Sequence, residues 1–144
     1  MAKPEPTLLD PARYRFQTRL EPRFGDIDIN LHINNVAMAS MLEEAHVRFH
    51  RASGYVAGRD PGLRSMVASV AIEYLAQGAY PGAVDIHVAL ERVGQTSHTL
   101  VQLAIQDDRV LAFSRTVIVT MSRDGPAVLP GSFVVNADNW KLLP

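Results

Sequence analysis

The hydrophobic pattern changes period once along the chain. Met38, Leu42, Ala45, Phe49 and Ala52 recur at alternating four- and three-residue steps, which place them on one helix face. The pattern predicts a helix over 36–52, with Asn34 or Asn35 as its N-cap and Gly54 ending it. Met41, Glu44, Arg48 and Arg51 share another face, where Glu44 and Arg48 have the spacing of a helical ion pair. Val36, Ala37 and Ala39 spread apolar surface around the first turns, so the helix is expected to be largely wrapped by other structure.

Beyond it the period becomes two. Ala68, Val70, Ile72 and Tyr74 alternate with Ser69, Ala71 and Glu73, and Val84, Ile86, Val88 and Leu90 alternate with Asp85, His87 and Ala89. Two further strand faces are Thr99–Val101–Leu103–Ile105 and the run from Leu111 to Met121. Turns are expected at Tyr80–Gly82, Gly94–Ser97 and Asp107–Asp108, and a connecting loop at 55–65. A first strand is expected over 14–22. One helix followed by strands on short turns implies an antiparallel α+β sheet. The whole of 1–144 reads as a single domain with irregular tails at 1–12 and 125–144.

Composition narrows the function classes. Fourteen basic against 15 acidic residues give a net charge of −1, so a surface built to coat nucleic acid or anionic lipid is not expected. There is no cysteine, which removes disulfides, thiolate metal sites and cysteine nucleophiles, and fits a cytoplasmic setting. The start of the chain has no apolar core of a secretory signal, and no run approaches the ~20 apolar residues of a membrane helix.

Chemistry is densest just before the helix, where Asp26, Asp28, Asn30, His32, Asn34 and Asn35 fall close together. A helix N-terminus offers free N–H groups and partial positive charge, which can hold a developing oxyanion. A neighbouring carboxylate and imidazole can supply acid, base or nucleophile. Ester or thioester hydrolysis needs these parts, although Asp and Asn are also ordinary turn and cap residues.

The segment GDIDINLHINN at 25–35, with EEAH at 43–46, resembles the signature of the hotdog-fold acyl-CoA thioesterases of the 4-hydroxybenzoyl-CoA thioesterase-like superfamily. Residues 28–35 are also similar to plant fatty acyl carrier protein thioesterases, and residues 70–100 resemble the family's central hairpin with its turn at 94–97. The resemblance implies a hotdog: an antiparallel sheet of about five strands around the helix. It also implies hydrolysis of acyl-CoA or acyl carrier protein thioesters without a metal or organic cofactor. It implies a homodimer, able to pair into a homotetramer, with sites shared between subunits and the acyl chain in an apolar tunnel along the helix.

By that resemblance Asp28 is the catalytic carboxylate, as general base or nucleophile, with Asn30 and His32 as its polar partners. Glu43 faces the active site or anchors the helix, and Asn35, Val36, Met38 and Ser97 meet substrate. Three positions depart from the family pattern: Leu31 stands where Gly is common, Met38 where an aromatic is common, and His46 where Arg is common.

Other readings compete. Glu43, His46 and His50 share a helix face and could supply part of a metal site, but one helix gives only part of a coordination sphere. His46 and His50 otherwise read as packing or surface residues, and His87 as exposed or at a subunit contact. Arg92, Arg109, Arg115 and Arg123 are candidates for a CoA phosphate, and Trp140 for adenine stacking or for pinning the tail. Hotdog hydratases also use an Asp–His pair, but with different spacing and a Pro that is missing here. A non-catalytic acyl-CoA sensor is the remaining class.

Overall fold

The structure is a computed structural model and describes residues 3–144. Its elements are β1 (Phe16–Leu20), α1 (Asn35–Ala52), β2 (Arg64–Tyr74), β3 (Val84–Val93), β4 (Ser97–Gln106), β5 (Arg109–Ser122), β6 (Gly125–Pro126) and α2 (Gly131–Val135). The strands form one antiparallel sheet in the order β1–β3–β4–β5–β2, with the short β6 added beside β5.

Helix α1 follows from its sequence. Asn34 caps it, its Oδ1 accepting from the Ala37 N–H at 2.7 Å. Gly54 follows the C-cap in the left-handed region at φ +85°, where a side chain would be strained. Glu44 and Arg48 form the expected ion pair on the exposed face. The opposite face buries Met38, Leu42, Ala45 and Phe49 against Leu20, Ile86, Val88, Leu90, Leu100 and Ile118 of the sheet, and Met41, expected on the face of Glu44 and Arg48, is buried with them. On the sheet's other side Ala89, Val101, Leu103 and Phe113 form a smaller core, covered by Tyr14, Leu8, Leu9 and Leu142.

Three expectations are revised. The first strand is shorter than 14–22, covering Phe16–Leu20, and β2 begins at Arg64, inside the expected loop. Residues 64–67 carry no clean alternation because β2 is exposed along most of its length and a register shift falls between Val67 and Ser69. The tail after Gly125 is not wholly irregular. It carries α2, sinks Phe133 into the core, and packs Trp140 against Phe16 and Phe49.

The tail also completes an edge. β1 pairs with β3 only as far as Phe16 and Val88. Beyond that, the Leu90 N–H donates to the Trp140 carbonyl and Leu90 bridges to Lys141 in parallel. Arg13 and Leu143 then exchange hydrogen bonds: the Leu143 N–H donates to the Arg13 carbonyl and Arg13 Nε to the Leu143 carbonyl. At the opposite edge of the sheet β2 has β5 on one side and, among the described residues, no strand on the other. No helix among the described residues is long and apolar enough to cross a membrane.

Candidate active site

Residues 26–34 fold as a small hairpin leading into α1. Ile27 and Ile33 pair across it, and the Asn34 N–H donates to the Asp26 carbonyl at 2.9 Å. At the tip, the Leu31 N–H donates to the Asp28 carbonyl and the Asp28 N–H to the His32 carbonyl. Closing this turn puts Leu31 at φ +63°, the left-handed region that favours glycine, with its side chain exposed.

Asp28 organises the tip. Its Oδ1 accepts from the Asn30 N–H at 2.8 Å and the His32 N–H at 3.1 Å, an arrangement that short Asp side chains make readily in turns. Its other oxygen takes no part in these bonds. The Asn30 residue is exposed, while His32 is half-buried and its Nδ1 has no partner among the described residues. Asp26 is committed elsewhere: the Arg23 N–H and guanidinium both donate to it, at 2.7 and 3.1 Å. These bonds hold its carboxyl below the usual carboxylate range.

The hairpin is fixed to the sheet by residues 78–82. The Ile33 N–H donates to the Gly78 carbonyl, and His32 bridges to Ala79. Buried Gln106 clamps this segment, accepting from the Ala79 N–H and donating to the Ala79 and Gly82 carbonyls. A Cβ added at Gly78 would meet the side-chain ends of Ile33 and Leu111 at under 3 Å, so those ends would have to shift.

At the start of α1, Asn34 satisfies only the Ala37 N–H. The Asn35 and Val36 amides make no hydrogen bond among the described residues, as first-turn amides do unless a cap or ligand reaches them. They border a surface depression shared with Arg23, Gly25, Asp26, Asn34 and Ser40. Tyr74 at the end of β2 donates its hydroxyl to the Asn35 carbonyl at 3.0 Å.

Val36 and Ser40 also line a second, mostly apolar cleft of about 350 Å³. Glu43 and His46 continue its α1 wall, Val67, Val70 and Ile72 of β2 form the opposite wall, and Gln102 and Thr116 join them from the sheet. Gln102 is buried, donates to the Leu42 carbonyl and accepts from the Ser114 hydroxyl, so it ties the cleft's base to the helix.

The candidates thus divide. Asp28, Asn30 and His32 share one hairpin, Asn35 and Val36 follow it directly, and Glu43 joins Val36 in the cleft. Met38 is buried beneath the helix and borders a different, smaller pocket with Tyr74 and Leu111. Ser97 is not brought to the hairpin within one chain. It pairs with Val119, which pairs with Met66, so it lies level with the start of β2, whereas Tyr74 at the far end reaches Asn35. That separation along the strand is roughly 25 Å.

Sequence reasoning did not single out Tyr74, Gln102 or Gln106, whose roles depend on partners distant along the chain. His46 and His50 are both buried, and burial holds the His46 imidazole below its usual range. His87 is half-buried rather than exposed, and its Nδ1 has no partner among the described residues. Among the phosphate candidates, Arg115 pairs with Glu91 and Arg109 donates to the Gln77 carbonyl.

A model of the thioesterase-like superfamily matches residues 22–135, a span that holds the hairpin, α1 and the four main strands from Arg64 onward. The chain belongs to that superfamily. Solved structures agree on the fold. A predicted thioesterase from Bacillus stearothermophilus is 24% identical with a TM-score of 0.80, over 90% of this chain and 98% of the other. The PA5185 protein of Pseudomonas aeruginosa has a TM-score of 0.80 at 21% identity, over 91% and 94% of the two chains. A thioesterase from Thermus thermophilus, solved with coenzyme A and Zn, has a TM-score of 0.76 at 22% identity, over 92% and 98%. The sheet curled around α1 is therefore a hotdog fold. No curated protein sequence matches the chain.

Proposed function

We propose that this protein is a cytoplasmic thioesterase that hydrolyses an acyl-CoA or acyl carrier protein thioester to a carboxylic acid and a free thiol. The observation that carries the reading is the pair of open amides at Asn35 and Val36, set directly after the hairpin that holds Asp28. A thioester carbonyl over those amides is polarised, and the charge that develops on its oxygen meets the positive end of α1. Asp28 keeps one oxygen on the backbone and has the other for chemistry. That oxygen either takes a proton from the attacking water or attacks the carbonyl carbon itself. Either route ends with hydroxyl on the acyl carbon and hydrogen on the sulfur. Asn30 and His32 orient water or carboxylate, and Glu43 lines the path of the acyl group. Superfamily membership supports the reaction class, and the coenzyme A complex of the Thermus thermophilus structure supports a CoA thioester as substrate.

The working unit in this reading is at least a homodimer of the single domain 1–144. The open edge of β2 exposes Met66, Val70 and Tyr74, and an unpaired strand edge of this length is a ready template for a second copy. Antiparallel pairing of two β2 strands would run the partner's Met66 end beside this chain's Tyr74 end. That carries the partner subunit's Ser97 toward this chain's Asn35, which one chain alone does not achieve.

The test is thiol release from a panel of acyl-CoAs by wild type and Asp28→Asn. Loss of at least about 100-fold in turnover, with the fold retained, is the expected result. Equal turnover by both proteins would remove Asp28 from the chemistry, and binding without turnover across the panel would replace the enzyme with a sensor.

A further inference from the structure

The cleft between α1 and β2 is blind. Its α1 wall runs from Val36 to His46, about 15 Å of helix. Its β2 wall runs from Ile72 back to Val67, a comparable length of strand. Beyond His46 there is no continuation. The next helical turn presents His50, whose ring lies 5.2 Å from that of His46 and whose Nε2 meets His98 Nε2 at 2.8 Å. His98 sits in the same row of the sheet as Ile118 and Val67, so helix and sheet close together at one level. Behind them Tyr55 stacks on His50 and Phe133 packs edge-on to Tyr55, both fully buried.

From this geometry we infer that His46 is the end wall of the acyl cleft and sets an upper limit on acyl length, admitting chains up to about dodecanoyl size and excluding palmitoyl. The inference rests on the thioesterase reading, because it takes the α1 N-terminus as the place of the carbonyl. With the carbonyl at Val36, an acyl chain descends between Ala39 and Val70, passes Glu43 and meets the imidazole. A chain longer than the cleft must leave methylenes in water or displace the buried histidine and aromatic cluster, and both are costly. An acyl tunnel along the helix, expected from the family resemblance, would in this chain be closed at His46, about two thirds of the way along α1.

Shortening the end wall should lengthen the preferred chain. His46→Ala removes the ring while keeping a good helix former, and His46→Gln keeps comparable bulk. Butyryl, octanoyl, dodecanoyl and palmitoyl groups are each presented twice, as the acyl-CoA for turnover and as the non-hydrolysable ketone analogue for calorimetric binding. For wild type, affinity should peak at dodecanoyl and fall for palmitoyl. His46→Ala should raise the palmitoyl-to-dodecanoyl affinity ratio about tenfold, the worth of roughly two newly buried methylenes. His46→Gln should restore the wild-type order. An unchanged length order in His46→Ala, tight palmitoyl binding by wild type, or binding that ignores acyl length would each overturn the end wall. Length-selective binding without turnover of any thioester would leave the wall standing and overturn the hydrolase reading instead.

Discussion

The Nε2 atoms of His50 and His98 face each other at 2.8 Å inside the core, so one imidazole donates and the other accepts. Such a bond holds only while both rings are neutral or share one proton, and both residues are almost completely buried. Burial pushes His98 down to about 4 and His50 lower still, with His46 and Arg59 adding repulsion. Unfolded, both histidines would titrate at ~6.5. The unfolded chain therefore binds more protons below that value, and stability is full above about pH 6.5 and lost as pH falls toward 4. Each histidine contributes a slope of about 1.4 kcal/mol per pH unit across that window. Urea midpoints should be level from neutral pH upward and drop steeply between pH 6.5 and 5. A flat profile through that range would contradict the buried pair.

Asp28 has a structural duty as well as a proposed chemical one, and two substitutions separate them. Asp28→Asn keeps an acceptor oxygen for the Asn30 and His32 amides, so thermal stability should stay near wild type. Asp28→Ala leaves both amides without that acceptor and should cost about 1 kcal/mol in a chemical denaturation series. Equal stability of the two variants would mean the hairpin does not depend on the carboxylate.

Leu31 pays for the turn in backbone strain. Leu31→Gly removes the steric conflict at φ +63° but adds freedom to the unfolded chain, so its stability should lie between unchanged and about 1 kcal/mol higher. Leu31→Val places a β-branched side chain in the same region and should lose about 1–2 kcal/mol. The order of the three unfolding midpoints, Gly at or above Leu and Leu above Val, is the measurement.

The tail is part of the core. Phe133→Ala should lose about 3–5 kcal/mol, as other buried aromatic truncations do, although Phe133 lies on a helix of five residues. Phe133→Leu should lose far less. A loss under about 1 kcal/mol for Phe133→Ala, read from denaturant midpoints, would mean that α2 is only loosely seated.

What the sequence showed depended on how local the cause was. The helix, a cap at Asn34 or Asn35 and the Gly54 stop were legible because each acts within one turn of itself, and the structure gives the cap to Asn34. Strands β3 to β5 were legible wherever one face was buried and the other was not, whereas β2, exposed along most of its length, was legible only from the alternation over 68–74 and lost its start before the register shift. The hairpin at 26–34 was legible as a loop rich in Asp and Asn. Its left-handed residue was signalled only by the glycine that the family commonly has in place of Leu31. Helix α2 is too short to show a period and is held by what Phe133 meets. The His50–His98 contact, the Gln102 tie and the Gln106 clamp join residues many positions apart, so no local pattern announces them.

The hydrogen bonds between Arg13 and Leu143 close a loop of 130 residues. Closing so long a loop costs less entropy once the intervening strands are in place. While the tail is undocked, the β3 edge at Leu90 lacks its partner at Trp140. The tail therefore also withdraws an apolar strand edge from other molecules, which guards this chain against joining the wrong neighbour.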